Sequence, residues 1–209
     1  MSATEMGPAR SAGNHTLMTL HYYQNNAQRF FEETVNVDMS SLYEAFTRHL
    51  PAGACVLDAG CGSGRDARAF SLQGYAVEAF DASSELAALA RQHTGLPVRQ
   101  MTFDELNEAE KYDGIWCCAS LLHVSRDELP DVMQKLAKAL KPGGIWYVSF
   151  KYGEGEREKE GRRFTDMTQA GLLALLAAVP SIRAETLWVT QDKRPERSEL
   201  WLNGLLKKA

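Results

Sequence analysis

The chain has 209 residues, a formal net charge of -4, 44% hydrophobic and 24% charged residues. That length fits one domain with a sizeable core, and the slightly acidic balance offers no general attraction to a nucleic-acid backbone or an anionic membrane. No stretch approaches the ~20 apolar residues of a membrane span, and the opening MSATEMGPARSAGNH lacks the apolar centre of a signal peptide.

Residues 1–16 are small and polar and are expected to be loose. Residues 17–33 carry Leu20, Tyr23, Ala27, Phe30 and Phe31 at helical spacing. Leu42, Phe46 and Leu50 continue in a second helix, which Pro51-Ala52-Gly53 ends. A short apolar run, Cys55-Val56-Leu57-Asp58, then stops at glycines. Residues 65–73 read as a helix closed by Gly74, and 75–80 as a strand ending at Asp81. Ser83 or Ser84 caps a helix with Leu86, Leu89 and Ala90, and Gly95 lies just past its end. Residues 98–102 and 114–118 read as strands. Ser125-Arg126-Asp127-Glu128 matches a capping box that opens a helix through Val132, Leu136 and Leu140, with Pro130 early in it. Lys141-Pro142-Gly143-Gly144 is a turn and 145–150 a strong strand. A charged loop over 153–163 precedes an apolar helix over 171–179 and strands at 186–189 and 200–202.

Strands alternating with helices predict an α/β fold: a doubly wound, mostly parallel seven-stranded sheet with helices on both faces and an N-terminal helical cap. The expected organisation is a flexible stretch over 1–16 and one domain over 17–209, divided into a cap at 17–50 and a core at 54–209. Ligands in such sheets bind beyond the carboxyl ends of the strands, at the topological switch point. The four cysteines, Cys55, Cys61, Cys117 and Cys118, have no C-x-x-C spacing and sit in apolar runs. They read as reduced and buried, which fits a cytoplasmic protein. No metal-ligand cluster is visible in the sequence.

The sharpest motif is Val56-Leu57-Asp58-Ala59-Gly60-Cys61-Gly62-Ser63-Gly64. A strand delivers Asp58, three glycines allow a turn tight enough for backbone to approach a ligand, and a helix start offers unpaired N–H groups. The third glycine comes one residue too soon for the G-x-G-x-x-G dinucleotide pattern, and the Gly-Lys-Ser/Thr of a phosphate loop is absent. A nucleoside ligand without phosphates remains. Asp58 would repel a pyrophosphate and welcome an ammonium or sulfonium.

On these residues the chain resembles the class I S-adenosylmethionine-dependent methyltransferases, whose first motif is a hydrophobic strand followed by D/E-x-G-x-G-x-G. The resemblance implies that the loop from Asp58 through Ala59, Gly60, Cys61, Gly62 and Gly64 holds the methionine and ribose part of S-adenosylmethionine. It further implies that Asp81 accepts the ribose hydroxyls, and that Ala82 and Ser83 lie beside the adenine. Thr102 stands where the family often has an aspartate for the adenine amino group, which leaves backbone and Phe103 to hold that ring. Cys118, at the end of the fourth strand, completes the expected cofactor set. Tyr112-Asp113-Gly114-Ile115 and Lys141-Pro142-Gly143-Gly144 also resemble family landmarks. Among branches the chain is similar to small-molecule methyltransferases of the tellurite-resistance-like and ubiquinone/menaquinone-like kinds.

The acceptor is expected to be a small molecule and not a nucleic acid, because Ala119-Ser120-Leu121-Leu122-His123 replaces the Asn/Asp-Pro-Pro-aromatic motif of base methyltransferases. His123 is the candidate general base, and Tyr22 is a second catalytic candidate near the methionine end. Tyr23, His123, Tyr152 and Arg163 are candidate acceptor contacts. Arg157 and Arg162 could likewise meet an acidic acceptor. A monomer or homodimer is expected. Two alternatives stay open: a non-catalytic binder of S-adenosylmethionine or S-adenosylhomocysteine, and a nicotinamide-dependent oxidoreductase.

Overall fold

The computed structural model describes residues 12–209. In chain order its elements are α1 (Ala12–Asn25), α2 (Ala27–Thr34), α3 (Ser40–Thr47), β1 (Cys55–Ala59), α4 (Arg65–Leu72), β2 (Ala76–Asp81), α5 (Ser84–Thr94), β3 (Arg99–Gln100), β4 (Tyr112–Cys117), α6 (Leu129–Ala139), β5 (Leu140–Lys151), β6 (Glu156–Lys159), β7 (Arg162–Thr165), α7 (Gln169–Leu176), β8 (Ile182–Gln191) and β9 (Leu200–Lys208). Seven strands form one sheet in the order β3-β2-β1-β4-β5-β9-β8, and β6 and β7 form a separate hairpin. The first five strands of the sheet pair in parallel, while β9 runs antiparallel to both β5 and β8. This is the doubly wound α/β class that the alternating pattern predicts.

The central strands are apolar without alternation because helices cover both faces. Successive residues of β4 and β5 therefore feed two cores. Ile115, Cys117, Trp146, Val148 and Phe150 join Val132, Met133 and Leu136 of α6 and Leu172 of α7. Trp116, Ile145 and Tyr147 pack with Leu42 and Phe46 of α3 and Phe70 of α4. In the second core the Trp116 and Tyr147 rings stack 4.0 Å apart, and the Trp116 indole N–H donates to Asp66 at 2.8 Å. Asp66 also takes the Arg65 guanidinium at 2.7 Å and the Tyr43 hydroxyl. Burial alone would raise the Asp66 carboxyl, but Arg65 and these hydrogen bonds hold it below its ordinary value. The network pins α3 and the start of α4 to the sheet, directly behind the glycine loop.

Several boundaries differ from the sequence expectations. The loose segment over 1–16 falls partly outside the described residues, and its described part, from Ala12 onward, belongs to α1. The single helix over 17–33 is broken at Asn26, whose backbone leaves helical values (φ -117, ψ 17) and whose amide donates to the Tyr22 carbonyl at 2.8 Å. Tyr22 and Tyr23 therefore sit in the last turn of α1. The Glu128 N–H donates to the Ser125 hydroxyl, which in turn donates to the Glu128 carboxylate, so only half of the capping box forms, and α6 starts only at Leu129 with Pro130 in its first turn. The glycines at 143–144 bulge out of β5, so the register jumps from Tyr112↔Leu140 to Gly114↔Ile145.

The largest correction concerns 153–163, read as a loop. Residues 156–165 form the β6–β7 hairpin, with cross-strand pairs from Glu156↔Thr165 to Lys159↔Arg162. Its turn is Glu160-Gly161, both at positive φ (52 and 74), as a two-residue type I′ turn requires. The hairpin escapes hydrophobic patterning because all four β6 side chains are exposed.

Candidate active site

The order β2-β1-β4-β5 puts the switch point between β1 and β4, so the loops after these two strands meet beyond the sheet. The loop after β1 is clamped when the Gly60 and Cys61 N–H groups donate to the Phe80 carbonyl at 3.0 and 2.9 Å. Gly60 has φ +78, and a Cβ there would lie 2.5 Å from Ser120 Cβ in the loop after β4. The two loops are thus in contact, and only glycine fits between them. Gly64 is needed for another reason. It is the αL residue before α4, and a Cβ there would lie 2.7 Å from Thr94.

A cleft of about 600 Å³ opens over this junction, a size suited to a small organic ligand. It is bordered by Gly60, Cys61, Gly62, Asp81, Ala82, Ser83, Thr102, Phe103, Cys118, Tyr22, Tyr23 and His123. The structure therefore brings most of the expected site residues to one surface. Asp58, Ala59 and Gly64 stand behind the loop and do not border the cleft. Asp58 is 2% exposed, and its Oδ2 has no hydrogen-bond partner. Burial, with Asp66 nearby, pushes its carboxyl well above the ordinary value.

Asp81 ends β2 with its two oxygens divided between neighbours. Oδ2 accepts the Gly62 N–H and Oδ1 the Ser83 N–H, each at 2.9 Å, while the Ser83 hydroxyl caps α5 through the Leu86 N–H at 3.2 Å. Burial raises the Asp81 carboxyl and these two N–H bonds oppose the shift. A carboxylate has about four lone-pair sites, so Asp81 retains capacity for two ligand hydroxyls. The Thr102 side chain is engaged with Glu105 at 3.3 Å. Phe103 stands edge-on to Phe80, with centroids 5.5 Å apart, beside Gly60.

The other end of the cleft is aromatic. Phe30 lies against Gly62, and the ring of Tyr23 stands 5.2 Å from Phe30 and 5.3 Å from His123. The His123 ring is 5.2 Å from Phe164. His123 Nδ1 is 2.8 Å from the Arg163 carbonyl and Nε2 is 2.8 Å from the Tyr23 hydroxyl. A carbonyl only accepts, so Nδ1 carries the hydrogen and Nε2 accepts from Tyr23. Burial pushes the imidazole down to about 4 and the Tyr23 hydroxyl up to about 12. The pair is neutral near pH 7, with its proton on tyrosine.

These shifts carry a stability prediction. A histidine with a depressed folded-state pKa contributes stability that is present above pH 6.5 and lost as the pH falls toward about 4. The loss is at most ~3 kcal/mol. In denaturant titrations the stability advantage of the wild type over His123→Gln should shrink from pH 7 to pH 4; a constant difference would contradict the buried neutral imidazole.

Strand parity corrects two acceptor assignments. Lys151, Arg162 and Phe164 border the cleft, whereas Tyr152 and Arg163 do not, because neighbouring strand residues face opposite ways. Tyr152 is 44% exposed. The Arg163 side chain pairs with Glu156 at 2.8 Å, and its contribution to the cleft is the carbonyl on His123. Tyr22 borders the cleft but its ring lies beneath the Arg162 guanidinium, 4.3 Å from the centroid. Sequence reasoning did not single out Phe30 or Trp201, both of which border the cleft; recognising the Glu160-Gly161 turn would have given the parity that selects Arg162.

A seven-stranded sheet in this order, with a glycine loop and a strand-end acid at its switch point, defines the class I, Rossmann-like methyltransferase fold. Residues 56–144, less than half of the chain, match the family model described as a methyltransferase domain. The chain is similar to ubiquinone biosynthesis O-methyltransferase of Xanthomonas axonopodis pv. citri, 36% identical over 109 residues, covering 47% of this chain and 44% of that protein. The enzyme of the same name from Rickettsia prowazekii is 34% identical over 99 residues, covering 45% and 38%. The matches thus span less than half of either relative.

Among solved structures, Burkholderia thailandensis 1,6-didemethyltoxoflavin-N1-methyltransferase, with 1,6-didemethyltoxoflavin and S-adenosylhomocysteine bound, superposes with a TM-score of 0.79 at 23% identity, covering 99% of this chain and 94% of that one. The [4+2]-cyclase SpnF superposes with a TM-score of 0.71 at 16% identity, covering 93% and 96%. At these identities the likeness is one of fold.

Proposed function

We propose that this protein transfers the methyl group of S-adenosylmethionine to a small-molecule acceptor. The observation that carries the reading is the junction of the glycine loop with Asp81 beneath one cleft. Gly62 N–H and Ser83 N–H hold the carboxylate in place before any ligand arrives. Gly60, Cys61 and Gly62 would hold the methionine end, Asp81 the ribose, and Ala82, Ser83 and Phe103 the adenine. When bound, S-adenosylmethionine would supply an activated methyl group to the acceptor's nucleophilic atom in line, the S–CH3 bond breaking and S-adenosylhomocysteine leaving.

The chain's own work is then chiefly positioning, which can contribute ~7–11 kcal/mol. The aromatic end excludes water and orients the acceptor, with Tyr23 held by His123. A proton leaving the acceptor would pass to His123 Nε2 as the Tyr23 hydroxyl swings aside or relays it. An imidazole held near 4 is a weak base, so this step suits acceptors that release a proton readily. The four free thiols support a reducing, cytoplasmic setting, and no helix among the described residues is long and apolar enough to cross a membrane.

The test is S-adenosylhomocysteine formation from S-adenosylmethionine over a panel of phenols, heteroaromatic amines, carboxylic acids and thiols. One acceptor class should turn over, and Tyr23→Phe should lower its kcat by about tenfold or more while leaving S-adenosylhomocysteine affinity within twofold. Binding without turnover on every class would favour a non-catalytic binder.

A further inference from the structure

We propose that the acceptor carries a carboxylate, which Arg162 recognises. The inference rests on the methyltransferase reading above and adds the acceptor's chemical class to it. Three arginines of the hairpin region are candidates for such a role, and the structure separates them. Arg157 is held by Asp166 at 2.7 Å and Arg163 by Glu156 at 2.8 Å. Neither borders the cleft. Arg162 does, and its side chain is 15% exposed.

One N–H of the Arg162 guanidinium is unsatisfied, although the group also interacts with the Tyr23 hydroxyl. Its Nε is buried and has no hydrogen-bond partner. Its Nη2 donates to Glu160 at 2.9 Å, and Glu160 is itself 61% exposed. An exposed carboxylate is a weak, solvent-screened partner, so a ligand carboxylate can take its place or sit beside it. A buried guanidinium N–H without an acceptor favours any ligand that supplies one, and the fork geometry of arginine suits a carboxylate best.

The surroundings fix orientation and add charge. The guanidinium carbon lies 4.3 Å over the Tyr22 ring and 5.2 Å over the Phe164 ring. Lys151 lies 4.4 Å over Phe164 from its Nζ and also borders the cleft, giving this wall a second cation, one that Glu199 partly neutralises at 2.8 Å. His123 and Tyr23 stand next to the same rings. An acceptor with its carboxylate on Arg162 would therefore turn another part toward Tyr23 and His123.

The proposal is tested on the full chain saturated with S-adenosylhomocysteine. Calorimetry compares three acids with their neutral amides: 4-hydroxybenzoate with 4-hydroxybenzamide, indole-3-carboxylate with indole-3-carboxamide, and nicotinate with nicotinamide. The expected result is that at least one acid binds about tenfold or more tighter than its amide. Arg162→Gln should level the pair while leaving S-adenosylhomocysteine affinity unchanged, and Arg162→Lys should restore part of the preference. Equal binding of acids and amides, no binding of any acid, or a preference that survives Arg162→Gln would overturn the proposal and leave the methyltransferase reading standing. Failure of S-adenosylhomocysteine itself to bind would instead strike that reading.

Discussion

Asp81→Ala is expected to weaken S-adenosylhomocysteine binding by about 10²-fold. Hydrogen bonds to a charged group contribute ~1.5–3 kcal/mol each, and the carboxylate is placed to accept two ribose hydroxyls, so losing both is worth on the order of two decades in affinity. The same substitution leaves the Gly62 and Ser83 N–H groups without their acceptor, so the loop loses its preset shape as well. Asp81→Asn separates these contributions. It keeps one carbonyl oxygen and removes the charge, and should fall between wild type and Asp81→Ala. Calorimetric titration gives all three values; an Asp81→Ala affinity within twofold of wild type would remove this residue from the site.

Gly60→Ala should cost more stability than its one methyl group suggests. The position has φ +78, and the new Cβ would lie 2.5 Å from Ser120 Cβ. Left-handed backbone costs a non-glycine residue ~1–2 kcal/mol, and forcing an atom into packed space costs ~1–3 kcal/mol. A total of ~3 kcal/mol lowers Tm by roughly 6–12 °C for a chain of this size. The second variant tells the causes apart: Gly60→Ala with Ser120→Gly removes the struck atom and should recover the packing share, leaving the backbone share. A single Gly60→Ala variant with wild-type Tm and cofactor affinity would show that the two loops do not meet as described.

The sheet was legible because its strands are apolar runs that end in glycine or acid, and because helices of 3.6-residue period separate them. Cys55–Ala59 with Gly60 and Gly62, and Ala76–Asp81, needed no tertiary information. The residues that line the acceptor end were harder, for two physical reasons. The β6–β7 hairpin is held by its turn, its ladder and charged cross-strand pairs, and it lacks the apolar alternation that marks a strand. Reading it as a loop hid the parity that turns Lys151, Arg162 and Phe164 toward the cleft and Tyr152 and Arg163 away. The break at Asn26, made by a side-chain bond to the Tyr22 carbonyl, was equally invisible to periodicity. It sets Tyr23 on His123 and Phe30 on Gly62. Asp58 shows a third limit: motif spacing puts it in the loop, but only packing shows that it stands behind the cleft wall.

Whether the glycine loop and Asp81 hold S-adenosylmethionine is decided most directly by equilibrium calorimetry on the wild-type chain. Three cofactors are titrated: S-adenosylmethionine, S-adenosylhomocysteine and reduced nicotinamide adenine dinucleotide. The two sulfur nucleosides should each fill one site per chain, with affinity in the micromolar range or better, and the dinucleotide should give no detectable heat. Binding of the dinucleotide alone, or of none of the three, would contradict the assignment of the glycine loop and Asp81 to S-adenosylmethionine.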